Sequence, residues 1–445
     1  MVRGRIARFA ACAAASTLVF SFVGLASAAS ADSGHSRHGS ENGDGNRGHS
    51  DHGHRHHHDS GALFVAPDGS PDNSGWSCDS ATFASINAAV TAASPGDTVV
   101  VCEGTYKEDV LVNKALTLLG RDATIDATGL ENGIWIVASD VRVDGFTVEN
   151  ANGEGVLAGV DALADAAMLP ASGPVLSDIT VENSNVINND KGFNFTENGN
   201  CRYPGDCGGG IHFNGTTQST MRGDTVTGNA DGVLLTDDYA PSSYNTIEDN
   251  VVSDNVHECG IVLPSHASNA VTFDPTTFQV TAVNPTLGGV YGNVVRDNVA
   301  DGNGTDKAPP QFGGGGSGSG IGLFGSGPGS AVYDNLIVDN EASGNGLAGI
   351  AMHAHLPGGE NVDGNAFVHN DLGTNNIGGD GFDGPPGPTD FQTTGIAIYS
   401  AVPAHMVFSH NKIHDDSIGI WVSASINAEL HHNHFDNVTT DVATG

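Results

Sequence analysis

The stretch that decides the fold runs from Val226 to His266 and reads VTGNADGVLLTDDYAPSSYNTIEDNVVSDNVHECGIVLPSH. It contains two rounds of one pattern: an asparagine, a short turn, a glycine and a run of aliphatic residues. The first round ends in Gly232-Val233-Leu234-Leu235 and the second in Gly260-Ile261-Val262-Leu263. Short apolar strands that recur with the same turn are typical of a solenoid, in which each coil stacks on its neighbours.

The glycine-aliphatic phrase returns at several other places along the chain. The shortest spacings between copies are 22, 24 and 28 residues, which suits one coil built from short strands. The sequence therefore predicts an all-β fold of the parallel β-helix type. The further copies are Gly210-Ile211, Gly320-Ile321, Gly349-Ile350, Gly395-Ile396 and Gly419-Ile420.

The chain is predicted to have three parts. Residues 1–28 read as a secretory signal peptide, because early arginines precede an apolar run and the small residues Ala26-Ser27-Ala28. Residues 29–60 form a His-, Gly- and Asp-rich segment with no apolar face to bury, which predicts a disordered linker. Residues 61–445 are the β-helix domain. These features predict a secreted protein without membrane insertion.

The charge balance limits the partners. The 445-residue chain has 16 basic and 52 acidic residues and a formal net charge of −36. Such a chain repels nucleic acid and anionic membranes. It also disfavours an anionic polysaccharide, unless a cofactor Ca²⁺ bridges the two. Nothing in the sequence indicates the oligomeric state.

The cysteines predict disulfides, which form in an oxidising compartment. Cys78 and Cys102 flank one helix-and-strand unit, so we expect them to pair. Cys201 and Cys207 enclose a five-residue loop and form the second expected pair. Cys259 is left over before a core strand, where a buried thiol is expected.

The N-terminal part of the domain carries a family resemblance. Apolar residues at helical spacing predict a helix over residues 82–93, which we expect to cap the open end of the solenoid. The phrase SPGDTVVVCEGTYKEDVLVNKALTLLG follows, at residues 94–120. This region resembles the opening of right-handed parallel β-helix proteins of the pectate-lyase-like superfamily. The shared features are, in order, a short helix, Pro-Gly-Asp-Thr, a valine run, Gly-Thr-Tyr and Leu-Thr-Leu-x-Gly. The later repeats resemble the same superfamily, including its nitrous-oxide-reductase accessory type.

The resemblance implies a right-handed β-helix but not one activity, since the superfamily includes lyases, hydrolases, epimerases and non-catalytic proteins. Pectate-lyase-type elimination uses an Arg or Lys base with Ca²⁺, and basic residues are missing from the outward columns of the repeats. Polygalacturonase-type hydrolases have an Asp-Asp pair, and Asp237-Asp238 matches that element alone. The resemblance therefore favours hydrolysis over elimination of an extracellular polysaccharide.

Recurrent asparagines at the corners have a structural interpretation. Asparagine tolerates the left-handed conformation of a tight turn, and its amide can stack on the same residue of the next coil. We therefore expect them to build the fold rather than to bind a ligand. They are Asn229, Asn250, Asn255, Asn293, Asn298, Asn335, Asn340, Asn365, Asn370, Asn411 and Asn433.

Aligning the coils on the repeated glycine predicts a functional surface. Strand alternation directs the second and fourth residues after the glycine away from the core. The fourth position includes Asn214, Thr236, Pro264, Phe324, His353, Tyr399 and Ser423, and His212 occupies a second position. Asp237, Asp238, His266 and His355 follow just past the strands.

These residues suit acid–base chemistry on a sugar. Adjacent carboxylates such as Asp237 and Asp238 shift each other's pKa, and histidine exchanges a proton near neutral pH. The predicted catalytic residues are Asp237, Asp238, His266, His353 and His355. Thr236, Phe324 and Tyr399 are expected to contact the substrate.

Simpler interpretations stand beside this one. Asp237 and Asp238 can cap a turn or hold Ca²⁺, and His353 with His355 lacks a third ligand for zinc. A loose metal affinity is expected of His52, His54, His56, His57 and His58 in the linker. A non-catalytic β-helix that binds glycan or metal, and an adhesive solenoid without a small-molecule site, are therefore the alternatives to an enzyme.

Overall fold

A computed structural model describes residues 62–67, 75–160, 175–191, 209–266, 271–273, 280–283, 288–307, 315–325, 329–354, 360–379 and 392–445. The predicted signal peptide, the predicted linker with its eight histidines, Cys201, Cys207 and His355 lie outside these residues. No helix in the described ranges is long and apolar enough to cross a membrane.

The described chain winds into coils whose strands stack in parallel ladders. In the longest sheet, twelve strands follow one another along a single path and four more pair beside it. Its path consists of Ala62–Val65, Thr98–Val101, Leu116–Asp126, Val141–Glu149, Thr180–Glu182, Thr220–Arg222, Thr246–Glu248, Val294–Arg296, Leu336–Val338, Ala366–Val368, Ala404–Ser409 and Ile426–His431. The four strands beside it are Gly104–Tyr106, Asn185–Ile187, Thr225–Thr227 and Val251–Ser253.

A second long sheet contains every copy of the glycine-aliphatic phrase, and we call it the glycine sheet. Its eleven described strands pair in parallel, coil upon coil. They are Val110–Val112, Ile134–Ile136, Val156–Ala158, Gly209–Asn214, Asp231–Thr236, Ile261–Ser265, Ile321–Gly325, Ile350–Ala354, Thr394–Ser400, Ile418–Val422 and Thr440–Thr444.

Shorter ladders complete the coils. A parallel sheet is formed by Leu176–Ser177, Thr216–Thr217, Ser242–Ser243, Val290–Tyr291 and Val332–Tyr333. Another is formed by Glu341–Ala342, Asp371–Leu372, Lys412–His414 and His434–Asp436. Val271–Phe273 and Val280–Val283 pair antiparallel.

One apolar core runs through the stacked coils, because alternate strand residues point inward. In the glycine sheet the inward residues include Val233 and Leu235 of one coil and Ile261 and Leu263 of the next, all fully buried. The residues between them face away from this core but are also buried in the middle coils. Burial of these outward residues is a difference from the functional surface expected from the sequence.

The described α-helix spans Ile86–Ala92, shorter than the predicted 82–93. Phe83 is extended instead, since its backbone N–H donates to Phe64 O at 3.3 Å and its carbonyl accepts from Ala66 N at 3.0 Å. The Ser85 hydroxyl then caps the helix by accepting from Ala88 N. The apolar face of the helix joins the core beside the first strands.

The expected role of this helix in capping the open end of the solenoid stays a prediction. A 3₁₀ turn, Cys78–Ser80, precedes it.

The asparagine ladders form as predicted. Asn250 shows the pattern, because its backbone N–H and its side-chain amide both donate to Asn298 Oδ1, at 3.1 and 3.0 Å. Asn298 repeats both bonds toward Asn340. The left-handed residue is not the asparagine, however, but the one before it, such as Asp249 or Asp297. That residue makes the turn, so the asparagine is free to point inward and bond between coils.

The cysteine predictions have a mixed outcome. Cys78 and Cys102 form a disulfide, as expected. The prediction of a free thiol at Cys259 is wrong, because Cys259 is disulfide-bonded. Pairing of Cys201 with Cys207 lies outside the described residues.

Candidate active site

The candidate site lies where three neighbouring strands of the glycine sheet end. The strands Gly209–Asn214, Asp231–Thr236 and Ile261–Ser265 run parallel, so their carboxyl ends meet at one edge. Asn214 is the register partner of Thr236. This pairing places Asp238 and His266, which follow their strands, at the same edge.

Asp238 and His266 form the centre of the site. His266 Nδ1 contacts Asp238 Oδ1 directly. Asn214 Nδ2 donates to the other oxygen, Oδ2, at 2.9 Å, and Asn214 Oδ1 accepts from the Asp238 backbone at 3.1 Å. Burial opposes ionisation, but His266, His212 and the Thr236 hydroxyl together outweigh it and lower the pKa of Asp238. The pair is therefore an ionised carboxylate that holds an imidazole in a fixed orientation.

Asp237 has a different environment from its neighbour. Its side chain is fully buried, and burial raises its pKa above the usual range. Oδ1 accepts from the His266 backbone at 2.7 Å, and Oδ2 accepts from Ser265 Oγ at 2.8 Å and from Gly289 N at 2.5 Å. With both oxygens bonded to the protein, Asp237 fits a role in holding the turn around His266, one of the simpler interpretations that the sequence left open.

A buried chain of polar groups extends behind Asp238. His212 Nδ1 lies 3.1 Å from Glu154 Oε1, and His212 Nε2 lies 2.8 Å from Thr236 Oγ1. The Thr236 hydroxyl donates to Asp238 Oδ2 at 3.0 Å. Thr236, expected to contact substrate, is fully buried in this chain.

Glu154 is the residue that sequence reasoning missed. It precedes Gly155-Val156, an earlier copy of the glycine-aliphatic phrase, and Val156 pairs in register with Ile211. That copy was the available signal, because it places Glu154 one coil below His212.

The remaining predicted site residues lie along the same column. Pro264, Phe324, His353 and Tyr399 are successive register partners, so the alignment on the glycine is confirmed across the insertions. The rings of Phe324 and His353 stack with centroids 5.2 Å apart, and both side chains are buried. Tyr399 is half-buried. This column extends from the site along the solenoid.

The arrangement supports proton transfer. The His266 and Asp238 side chains are 9% and 10% exposed, whereas Asp237 is closed off. A partly accessible imidazole with a carboxylate partner is a common acid–base device. Within the described ranges, no three His, Cys, Asp or Glu side chains are arranged to hold a metal ion.

Comparison with known proteins agrees with this architecture. A family model described as "right handed beta helix region" matches residues 132–282. A second, described as "periplasmic copper-binding protein (NosD)", matches residues 314–444. No curated protein matches the sequence.

Solved structures that share the fold include a pectate lyase and a lacto-N-biosidase. The pectate lyase Pel9A is similar with a TM-score of 0.51 and 16% identity, over 84% of this chain and 79% of that one. A lacto-N-biosidase from Eubacterium ramulus is similar with a TM-score of 0.52 and 12% identity, over 85% and 68%. The chain is thus a right-handed parallel β-helix repeat protein with pectate-lyase-like architecture, as its N-terminal phrase predicts.

Proposed function

We propose that this protein is an enzyme that cleaves an extracellular polysaccharide, with His266 as its acid–base group and Asp238 as the carboxylate that orients it. The contact between His266 Nδ1 and Asp238 Oδ1 carries the proposal. A plain coil does not need a nearly buried pair of a carboxylate and an imidazole just past its strands. The fold supports it too, since the similar structures are named as a pectate lyase and a lacto-N-biosidase.

Hydrolysis of a neutral glycan fits these residues better than elimination from a uronate. Elimination needs a cation that neutralises the sugar carboxylate. Three arginines on the longest sheet do not fill this role, because each is paired with a glutamate there. Arg142 and Arg222 bond to Glu182, and Arg296 bonds to Glu248. In the proposed hydrolysis, His266, held by ionised Asp238, donates its proton to the glycosidic oxygen as the bond from that oxygen to the sugar breaks. A water then adds to the sugar carbon and gives its proton to His266, which returns the imidazole to its starting form.

Export to an oxidising compartment is part of the proposal. It is supported by the disulfide between Cys78 and Cys102, since such bonds persist outside the reducing cytoplasm. The signal-like residues 1–28 point the same way.

A non-catalytic metal-binding module is the second candidate. The model of residues 314–444 is named for copper binding. In that range His369, His410 and His432 are corner residues of successive coils, with ring centroids 4.9 and 5.0 Å apart. Imidazole nitrogen is a common copper ligand. Because no three such side chains of the described residues are arranged around one point, copper would bind a pair of these imidazoles rather than all three. Copper titration of a protein that begins at residue 61, with and without these three histidines, tests this candidate.

The enzymatic proposal is tested by screening neutral and acidic glycans for new reducing ends and for unsaturated products, with and without Ca²⁺. We expect reducing ends without unsaturation from a neutral glycan. His266→Asn should lower kcat about 10²- to 10⁴-fold, since it removes the acid–base group. His434→Gln is the matched control, because His434 is exposed on the last coils.

Two results would contradict the proposal. Full activity in both His266→Asn and Asp238→Asn would show that the site is elsewhere. Glycan binding by the wild type without any product would instead favour a non-catalytic β-helix.

A further inference from the structure

The chain of groups behind Asp238 crosses three coils, includes a second buried histidine, His212, and ends at Glu154. His212 is fully buried, and Glu154 is 1% exposed. Both ring nitrogens of His212 are engaged, one by Glu154 and the other by the Thr236 hydroxyl. The Thr236 hydroxyl in turn donates a hydrogen bond to Asp238. Burying an acid and an imidazole is costly, so their placement behind Asp238 calls for a function.

Counting protons fixes the direction of these bonds. Thr236 has one hydroxyl proton, which it donates to the ionised carboxylate of Asp238. The hydroxyl oxygen must then accept a proton from His212 Nε2. His212 Nδ1 bonds to Glu154 only if one further proton lies between them. The Glu154–His212 pair is therefore neutral overall, either as imidazolium with carboxylate or as imidazole with carboxylic acid.

The hydrogen bonds that Asp238 accepts weaken its electrostatic stabilisation of protonated His266. A carboxylate that faced His266 alone would hold the imidazole in its charged form far above neutral pH. The Thr236 hydroxyl and the Asn214 amide share the charge of Asp238. Among the described residues, the other titratable groups facing the dyad are Asp237 and Tyr239, and burial raises the pKa of both.

We propose that Glu154, His212 and Thr236 form a relay that moderates the interaction between Asp238 and His266, so that His266 exchanges its proton near neutral pH. Thr236 is a positioning residue in this view, because it acts on His266 only through Asp238. The relay's use in catalysis rests on the proposed function of His266, but its effect on the proton affinity of His266 does not.

The test is the pH titration of the His266 imidazole, followed by NMR in the full mature chain. Thr236→Val keeps the side-chain shape and removes the hydroxyl, so the midpoint should rise by about 0.5 to 1 pH unit. Thr236→Ala also removes the hydroxyl but puts no methyl group in its place. It should shift the midpoint in the same direction. Thr236→Ser restores the hydroxyl and should titrate like the wild type.

Two outcomes would overturn the relay. One is an unchanged midpoint in both variants that lack the hydroxyl. The other is an equal shift in Thr236→Ser, which would assign the effect to packing. If Thr236→Val shifts the midpoint while His266→Asn keeps full glycan activity, the relay stands and the proposed function fails. If the enzyme is active, the pH–rate profile of Thr236→Val should move with the NMR midpoint.

Discussion

Single residues show how this solenoid treats buried charge. Asp224 and Asp416 occupy ladder positions that asparagine fills on neighbouring coils. One oxygen of each accepts a backbone N–H, and in the described structure the second oxygen is buried without a hydrogen bond. Burial raises the pKa of both carboxyls to about 7. A protonated carboxyl resembles the amide that it replaces, and this similarity explains why aspartate is tolerated here.

The pH dependence of stability follows from this shift. Unfolded Asp416 ionises near its usual pKa of 3.8, but the folded carboxyl keeps its proton up to about pH 7. The contribution of Asp416 to stability therefore falls as pH rises between these values and is lowest above pH 7. We expect Asp416→Asn to stabilise the protein by about 1–3 kcal/mol at pH 8 and to have little effect near pH 4.

Urea unfolding at the two pH values measures this difference. The neighbouring exposed Asp415 is the control, because bonds from Asn437 and His414 lower its pKa. Asp415→Asn should not stabilise the protein at either pH. A gain for Asp416→Asn that is equal at pH 4 and pH 8 would exclude a titration effect.

At the scale of elements, one carboxylate ties the helix Ile86–Ala92 to the first coils. Glu108 accepts from the backbone N–H of Ile86 at 2.8 Å and of Asn87 at 2.9 Å. The Ser85 hydroxyl and the Asn87 amide donate to it as well. These N–H groups have no partner within a helix, so an anion at this end stabilises it.

Glu108→Gln should destabilise the N-terminal end of the solenoid by about 1–2 kcal/mol, because it removes the charge and one acceptor oxygen. Hydrogen exchange of residues 86–92 is the measurement, and faster exchange there is expected. Glu103→Gln is the control, since Glu103 is exposed nearby. Equal exchange in both variants would mean that the helix is held by its apolar face alone.

Stability of the whole molecule depends on contacts between neighbouring coils. In a stacked solenoid each coil contacts only the coils beside it. Asn298 is fully bonded in the middle of a ladder, because it accepts two bonds from Asn250 and donates to Ile247 O and Asn340 Oδ1. Asn433 has one coil fewer to bond, since it accepts from Asn411 and donates to Phe408 O.

Asn298→Ala should therefore cost about 3 kcal/mol or more, since it leaves several buried groups without partners. Asn433→Ala should cost less and affect the last coils alone. Thermal unfolding combined with hydrogen exchange distinguishes the two, because the first variant should lose protection on both sides of residue 298. Exposed Asn427→Ala is the neutral control.

The sequence by itself determined the coil. The repeated glycine and the inward aliphatic residues fix the period, and each ladder asparagine bonds to its counterpart one coil away, so a local pattern is enough to predict them. The register of Pro264, Phe324, His353 and Tyr399 followed from the same alignment. The Cys78–Cys102 pair was also predictable, because its two halves flank one unit.

Tertiary structure alone decided what surrounds each side chain of the site. Adjacent Asp237 and Asp238 look equivalent in the sequence, but one is bonded within a turn and the other faces His266. Glu154 lies 58 residues from His212, and an insertion between them hides the coil spacing that brings them together. Burial and proton sharing depend on these distant neighbours, and for that reason the relay behind Asp238 emerged only from the folded chain.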